Sequence, residues 1–149
     1  DPLGGGYHLI QSKIAIGSGG FLGTGLLQGK LTNLQFIPEQ HTDFIFSALG
    51  EELGFAGCAI VIFLFFFLIY KLIYIAKSAR SEFESLIVIG IAATFLFQII
   101  INIFMTIGLG PVTGIPLPFM SYGRTSLVIN FISIGLVLSI LKRSRSLRD

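Results

Sequence analysis

A chain of 149 residues that is 53% hydrophobic and 12% charged, with a mean hydropathy of +0.86, falls outside the soluble globular class, in which about a quarter of residues carry charge. The net charge of +2 says more by its distribution than by its total, and no nucleic-acid partner is expected. The one cysteine, Cys58, excludes an intrachain disulfide.

Fifteen Phe without any Trp fit a lipid-facing protein that lacks the usual Trp anchors at the interface. With no initiator Met and an opening of Asp1-Pro2-Leu3-Gly4, the chain reads as a piece of a longer membrane protein. Residues 1–45 are too polar and too rich in Gly to cross a bilayer. Gly4-Gly5-Gly6 and Gly17-Ser18-Gly19-Gly20 bracket a segment with Tyr7, Ile10 and Ile14 at helical spacing. Gln11, Ser12 and Lys13 fall elsewhere on the wheel, which predicts a short amphipathic helix lying in the interface. The Gly run over 17–25 lacks the Gly-Lys-Ser/Thr ending and the strand-to-helix setting of a phosphate loop. It is read as a flexible loop. Lys13 and Lys30 are solvated lysines, with an anionic headgroup as their alternative use.

The string Pro38-Glu39-Gln40-His41-Thr42-Asp43-Phe44-Ile45-Phe46 then crowds two carboxylates and an imidazole against an apolar run. Ionisable groups at the mouth of a membrane span are candidates for chemistry, because charge beside a low-dielectric wall is costly without a use. Two plainer readings stand beside that one. Asp43 could cap the following helix, and His41 could be an interfacial histidine satisfied by water.

Three spans follow, over about residues 53–75, 86–109 and 122–141. The first has an unbroken apolar core over 55–70, long enough at about 1.5 Å per residue for a hydrocarbon layer of roughly 30 Å. Gly50, Gly54 and Gly57 open it with a smooth face on which another helix could pack. Of Glu51 and Glu52, at least one should meet water or a cation. The second span sets Thr94, Gln98, Asn102 and Thr106 four apart, a polar stripe expected to face and bond neighbouring helices. Such a stripe implies a larger bundle. Between the second and third spans, Pro111, Pro116 and Pro118 forbid regular helix. Irregular backbone at that depth must rest on protein or on a water-lined cavity. The third span carries Ser126, Asn130 and Ser133 on one face and ends in Lys142, Arg143, Arg145 and Arg148.

Lys71, Lys77 and Arg80 in the first connector, with the basic tail, mark the cytoplasmic side. Three spans put both on one side, so the two signals agree. Residues 1–45 and the Pro/Gly loop then lie outside. The fold class is therefore an all-α polytopic membrane protein, with three transmembrane helices in 46–149 preceded by an extracytoplasmic loop region, 1–45, with short interfacial helices.

The strings Pro38 to Phe46, Gly50-Glu51-Glu52-Leu53-Gly54 and Pro116-Leu117-Pro118-Phe119-Met120-Ser121-Tyr122-Gly123 resemble the SEDS proteins (shape, elongation, division and sporulation). The RodA branch is the nearest likeness, through Asp1-Pro2-Leu3-Gly4, Gln11 to Gly20 and Pro111 to Pro116. The resemblance covers essentially the whole chain. It implies a bacterial peptidoglycan glycosyltransferase that polymerises lipid II on the outer face of the cytoplasmic membrane, with a class B penicillin-binding protein, a transpeptidase, as partner. It also implies that this chain is the last large extracytoplasmic loop and final three spans of a protein of about ten, and that the family's essential loop aspartate is Asp43. One position departs: the family usually reads Ser-Tyr-Gly-Gly where this chain has Ser121-Tyr122-Gly123-Arg124. Arg in place of Gly removes backbone freedom and adds charge.

For glycan polymerisation, an acceptor hydroxyl attacks an anomeric carbon as a lipid pyrophosphate leaves. Asp43, beside Phe44, Ile45 and Phe46, is suited to act as base, since an apolar wall raises a carboxylate's pKa. Lys13, Lys30 or Arg124 could offset the pyrophosphate charge, as could a divalent cation. Glu39, His41 and Ser121 complete the candidate substrate-binding set, and no metal ligands are assigned. Two rivals are a flippase for lipid-linked sugar, whose mid-membrane charges are missing, and a scaffold that docks a transpeptidase on the Gly50/Gly54 face.

Overall fold

Long runs of Leu, Ile, Phe and Ala leave the backbone one solution in hydrocarbon, where every N–H and C=O must be satisfied within the segment. In the computed structural model, which describes residues 10, 13–14, 16–23, 45–109, 115–120 and 124–146, that solution is three long helices. They are α1 (Ile45–Ser78), α2 (Glu82–Ile107) and α3 (Arg124–Ser146). No strand occurs among the described residues. All three helices are long and apolar enough to cross a membrane.

α1 runs past the window read from sequence at both ends, α2 at its start and α3 at its end, while α2 stops short of 109 and α3 starts after 122; local chemistry sets the real ends. α2 starts at Glu82 because Ser81 caps it. Ser81 is extended (φ −134, ψ 163) and its hydroxyl accepts from the Glu84 amide at 3.2 Å, the forward half of a capping box. Glu82 and Glu84 in the first turn suit the positive end of the helix dipole. α2 ends where Gly108 turns left-handed (φ 84), its amide donating to Met105 O and the Leu109 amide to Phe104 O. That pair of bonds is a Schellman closure. α3 continues to Ser146 with Arg143 and Arg145 in its last turn, where cations favour the dipole.

α1 and α2 are joined by the short turn at 79–81, run antiparallel and share most of the interface; α3 touches both less. α1 buries Phe65, Ile69, Leu72 and Ala76, and α2 buries Val88, Ala92, Phe95 and Ile99. Spacings of three and four residues keep each set on one side of its helix. The opposite sides stay just as apolar, with Phe63, Phe66 and Phe131 among the exposed residues. This suits a lipid surround.

One end of the bundle is tied by side chains. Arg143 Nη1 lies 3.2 Å from Glu84 Oε1, and Ser144 Oγ donates to the Ser78 carbonyl. The other end is tied largely by backbone. α1 is two helices joined at Gly54, where φ is 68 and ψ −162. Residues 16–19, which are helical, and the turn at 20–22 pack across that joint. A Cβ on Gly19 would overlap the Gly50 carbonyl oxygen, and one on Gly23 the Glu52 carbonyl oxygen. Phe55 and Ala56 donate their amides to Gly20 O at 2.8 Å and Phe21 O at 2.9 Å. The rings of Phe21 and Phe55 stack at 5.9 Å.

This arrangement corrects two expectations. The Gly run over 17–25 is not loose where it is described: Gly19 and Gly23 sit against the main chain of 50–53, and glycine is required at those two positions for close approach. The smooth Gly50/Gly54 face is covered by the chain's own residues 16–23, so it is not open to a partner helix. Around the helix expected at Ile10 and Ile14, residues 10, 13–14 and 16–19 are helical, and both isoleucines are about half exposed; Tyr7, Gln11 and Ser12 lie outside the described residues.

Candidate functional site

The backbone-tied end gathers the segments that carry the candidate chemistry. α1 begins there, two residues after Asp43. Its outer arm, 45–53, is largely buried, with Phe46 and Ser47 inside and Glu51 only 1% exposed; Glu52 is half-buried. Of the two acids, the one left nearer water is therefore Glu52. Glu39, His41, Asp43 and Ser121 lie outside the described residues, as do Lys30 and Tyr122.

Lys13 lies over the C-terminal cap of α2. Its Cδ, Cε and Nζ come within 3.1 to 3.2 Å of where a Cβ on Gly108 would stand. Gly108 thus serves twice, adopting the left-handed turn and leaving room for the lysine stem. The ammonium sits at the negative end of the α2 dipole, a placement typically worth about 0.3–1 kcal/mol. Nothing in the sequence pairs Lys13 with Gly108, ninety-five residues on.

Arg124 opens α3 and is exposed. A cation at a helix N-terminus opposes the dipole by a similar amount. Its charge is therefore not there for the helix.

The described part of the Pro/Gly loop enters the bundle. Leu117 and Pro118 are buried, and the Ile115 carbonyl accepts from Asn102 Nδ2 at 2.8 Å. Phe119 takes a left-handed φ of 66, unusual for a bulky side chain. Its ring lies 5.6 Å from both Phe95 on α2 and Phe131 on α3. Irregular backbone at this depth does rest on protein, as the prolines require.

The α2 stripe, expected to bond neighbouring helices, also bonds its own helix and the Pro/Gly loop. Thr94 and Thr106 donate back to their own helix, to Gly90 O and Ile103 O, both within bonding range at 2.9 and 2.8 Å. Asn102 reaches the loop. A hydroxyl on a helix finds the carbonyl of the preceding turn before any partner, which is the physical reason. Thr94 and Gln98 face Asn130 and Ser133 across a cleft of about 370 Å³ between α2 and α3. No charged side chain lines that cleft. Asn130 is 4% exposed, and its Nδ2 meets no acceptor among the described residues. Among the described residues no three His, Cys, Asp or Glu side chains gather to hold a metal ion.

A family profile described as cell cycle protein, FtsW/RodA/SpoVE, matches residues 1–146. The chain is 46% identical over 140 residues to peptidoglycan glycosyltransferase MrdB of Escherichia coli K12, covering 94% of this chain and 38% of that protein. It is 46% identical over 143 residues to peptidoglycan glycosyltransferase RodA of Treponema pallidum, covering 96% of this chain and 33% of the relative. Among solved structures, a chain described under the structural coordination of polymerization and crosslinking by a peptidoglycan synthase complex superposes with a TM-score of 0.79. That match has 30% identity and covers 97% of this chain and 38% of the other. The chain thus spans under two-fifths of the length of each of these proteins.

Proposed function

Because the chain belongs to the FtsW/RodA/SpoVE family of cell cycle proteins, we propose that it is the C-terminal part of a peptidoglycan glycosyltransferase polymerising lipid II for cell-wall elongation and cell shape. The observation that carries this reading is the family match along nearly the whole chain, joined to the way the bundle sorts its ends. The start of α1, Lys13, Arg124 and the Pro/Gly loop share one end. Arg80, Arg143 and Arg145 share the other, with the connector and tail in contact. Positive charge favours the cytoplasmic side, so the first end faces outward from the bacterial inner membrane.

Asp43 is the base in this scheme. It takes the proton of the acceptor sugar hydroxyl as that oxygen bonds to the anomeric carbon of the donor. The carbon–oxygen bond to the pyrophosphate breaks, and the lipid pyrophosphate leaves with the electron pair. Lys13 and Arg124 offset the charge that develops there, with Glu39, His41 and Ser121 holding sugar or phosphate oxygens. A divalent cation at the leaving group would serve the same electrostatic purpose. The activated pyrophosphate supplies the driving force, so no nucleotide is needed on that side of the membrane. The solved relative's description joins polymerisation with crosslinking, which supports a transpeptidase of the class B penicillin-binding type as the partner here.

The test is lipid II polymerisation by the complete protein with Asp43→Asn. Asn caps a helix about as well as Asp but cannot act as a base. Turnover should fall by at least about 10²-fold, with membrane expression and melting behaviour unchanged. Near-parental turnover at saturating lipid II would remove the assignment.

A further inference from the structure

Gly54 is where the α1 backbone leaves the helical region, and it separates the outer arm, 45–53, from the membrane span. We propose that Gly54 and residues 16–23 form a main-chain clasp that positions Asp43, by fixing the direction of the arm that follows it. The proposal rests on the reading of Asp43 as the catalytic base.

Gly54 adopts φ 68 and ψ −162, a region open essentially to glycine alone. The bend is therefore set by the residue itself. At the joint, atoms of one backbone meet atoms of the other. A Cβ on Gly54 would overlap the Gly23 nitrogen and stand 2.7 Å from the Phe21 carbonyl. Contacts of this kind cannot be adjusted by a change of rotamer, so the arm can neither roll nor slide against residues 16–23.

The bonding completes the clasp. In an unbroken helix the Phe55 and Ala56 amides would donate to the carbonyls of Glu51 and Glu52. Here they donate to Gly20 and Phe21, so a distant stretch of chain stands in for the missing helical turn. Both helical pieces of α1 are thereby referenced to the same residues.

The magnitudes connect this joint to chemistry. Asp43 lies two peptide units before Ile45, within about 8 Å of it along the chain. Nine arm residues make a lever of about 13 Å, so a tilt of roughly 5° at Gly54 moves its tip by about 1 Å. A displacement of that size can cost about 10²-fold in turnover. A segment far from Asp43 in sequence thus holds the base in register.

The experiment uses the complete protein and lipid II. Gly54→Ala should lower kcat at least tenfold while KM stays within about twofold, in protein that remains folded. A milder pair keeps the test decisive should Gly54→Ala fail to fold. Gly20 has φ +60 with open space around its Cβ position, so substitution there strains backbone without a clash. Gly20→Val should lower kcat several-fold, and Gly20→Asn should restore it, because Asn tolerates a left-handed backbone. Gly135→Ala, on an open face of α3, should behave as parent. Parental kcat in folded Gly54→Ala and Gly20→Val overturns the clasp, as does a loss of activity that merely tracks the folded fraction with Val and Asn alike. Asp43→Asn, measured alongside, keeps the two ideas apart. Inactive Asp43→Asn beside active glycine variants removes the clasp alone, whereas active Asp43→Asn removes the base reading and the clasp with it.

Discussion

The two ends of the bundle are held by different means. At the basic end, polar side chains make the ties: Arg143 to Glu84, Ser144 to the Ser78 carbonyl, and Ser81 over its own helix start. At the other end, glycines bring main chain against main chain, and amides of one segment bond carbonyls of another. Side-chain ties tolerate displacement, because a guanidinium can follow a carboxylate through several rotamers. Backbone ties do not, because packed main chain has no rotamers to change. The rigid end is the one where α1 meets the candidate catalytic loop, and the adjustable end is the one that faces the basic side.

That contrast can be broken most completely by topology. In a Cys58→Ala background, a cysteine at the exposed Leu22 should react fully with an impermeant thiol reagent in intact cells, and one at the exposed Ser146 not at all. The reverse pattern would exchange the roles of the ends. Next in size is Gly19→Ala. The added methyl meets the Gly50 carbonyl, and overpacking of backbone should lower stability by about 2 kcal/mol, read as the shift of the unfolding midpoint in detergent. A loss under half a kcal/mol would mean that this end yields after all. Asn102→Leu should cost about 0.6 kcal/mol, typical of polar ties inside membranes, with turnover of folded protein retained. Outright loss of turnover would make the α2 stripe part of the chemistry. The smallest effect belongs to the basic end, where a double-mutant cycle on Glu84→Gln and Arg143→Gln should give a coupling of about 0.5 kcal/mol that fades with salt, since Arg143 is 60% exposed. A coupling above 2 kcal/mol would make that end as rigid as the other.

What the sequence made legible follows the same division. The number of spans came from apolar length, a signal that survives without knowledge of contacts. The Gly50 and Gly54 face was recognisable as a close-packing surface, but its occupant was not, because residues 16–23 reach it across the intervening chain. The inner face of each helix was also hidden. Phe65 is buried and Phe66 is 74% exposed, yet in lipid both positions favour the same side chain. α2 closes at Gly108, one residue short of the 109 read from the sequence, whereas the left-handed Phe119 had no local signal, its ring meeting rings from two other elements. Asp43 was singled out by motif and resemblance, and it lies outside the described residues.

Phe119 also has a consequence in time. Its ring touches α2 through Phe95 and α3 through Phe131, and α3 is the last of the three helices to leave the ribosome. The loop before it can gain its Asn102 bond early, but the aromatic seat exists only once α3 has entered the bilayer. Insertion of α3 is then the event that closes this end of the bundle over the loop, so the aromatic seat is complete only after the third helix has been made. A chain halted after Met120 should accordingly leave the loop open to added protease, and extension through Ser146 should protect it.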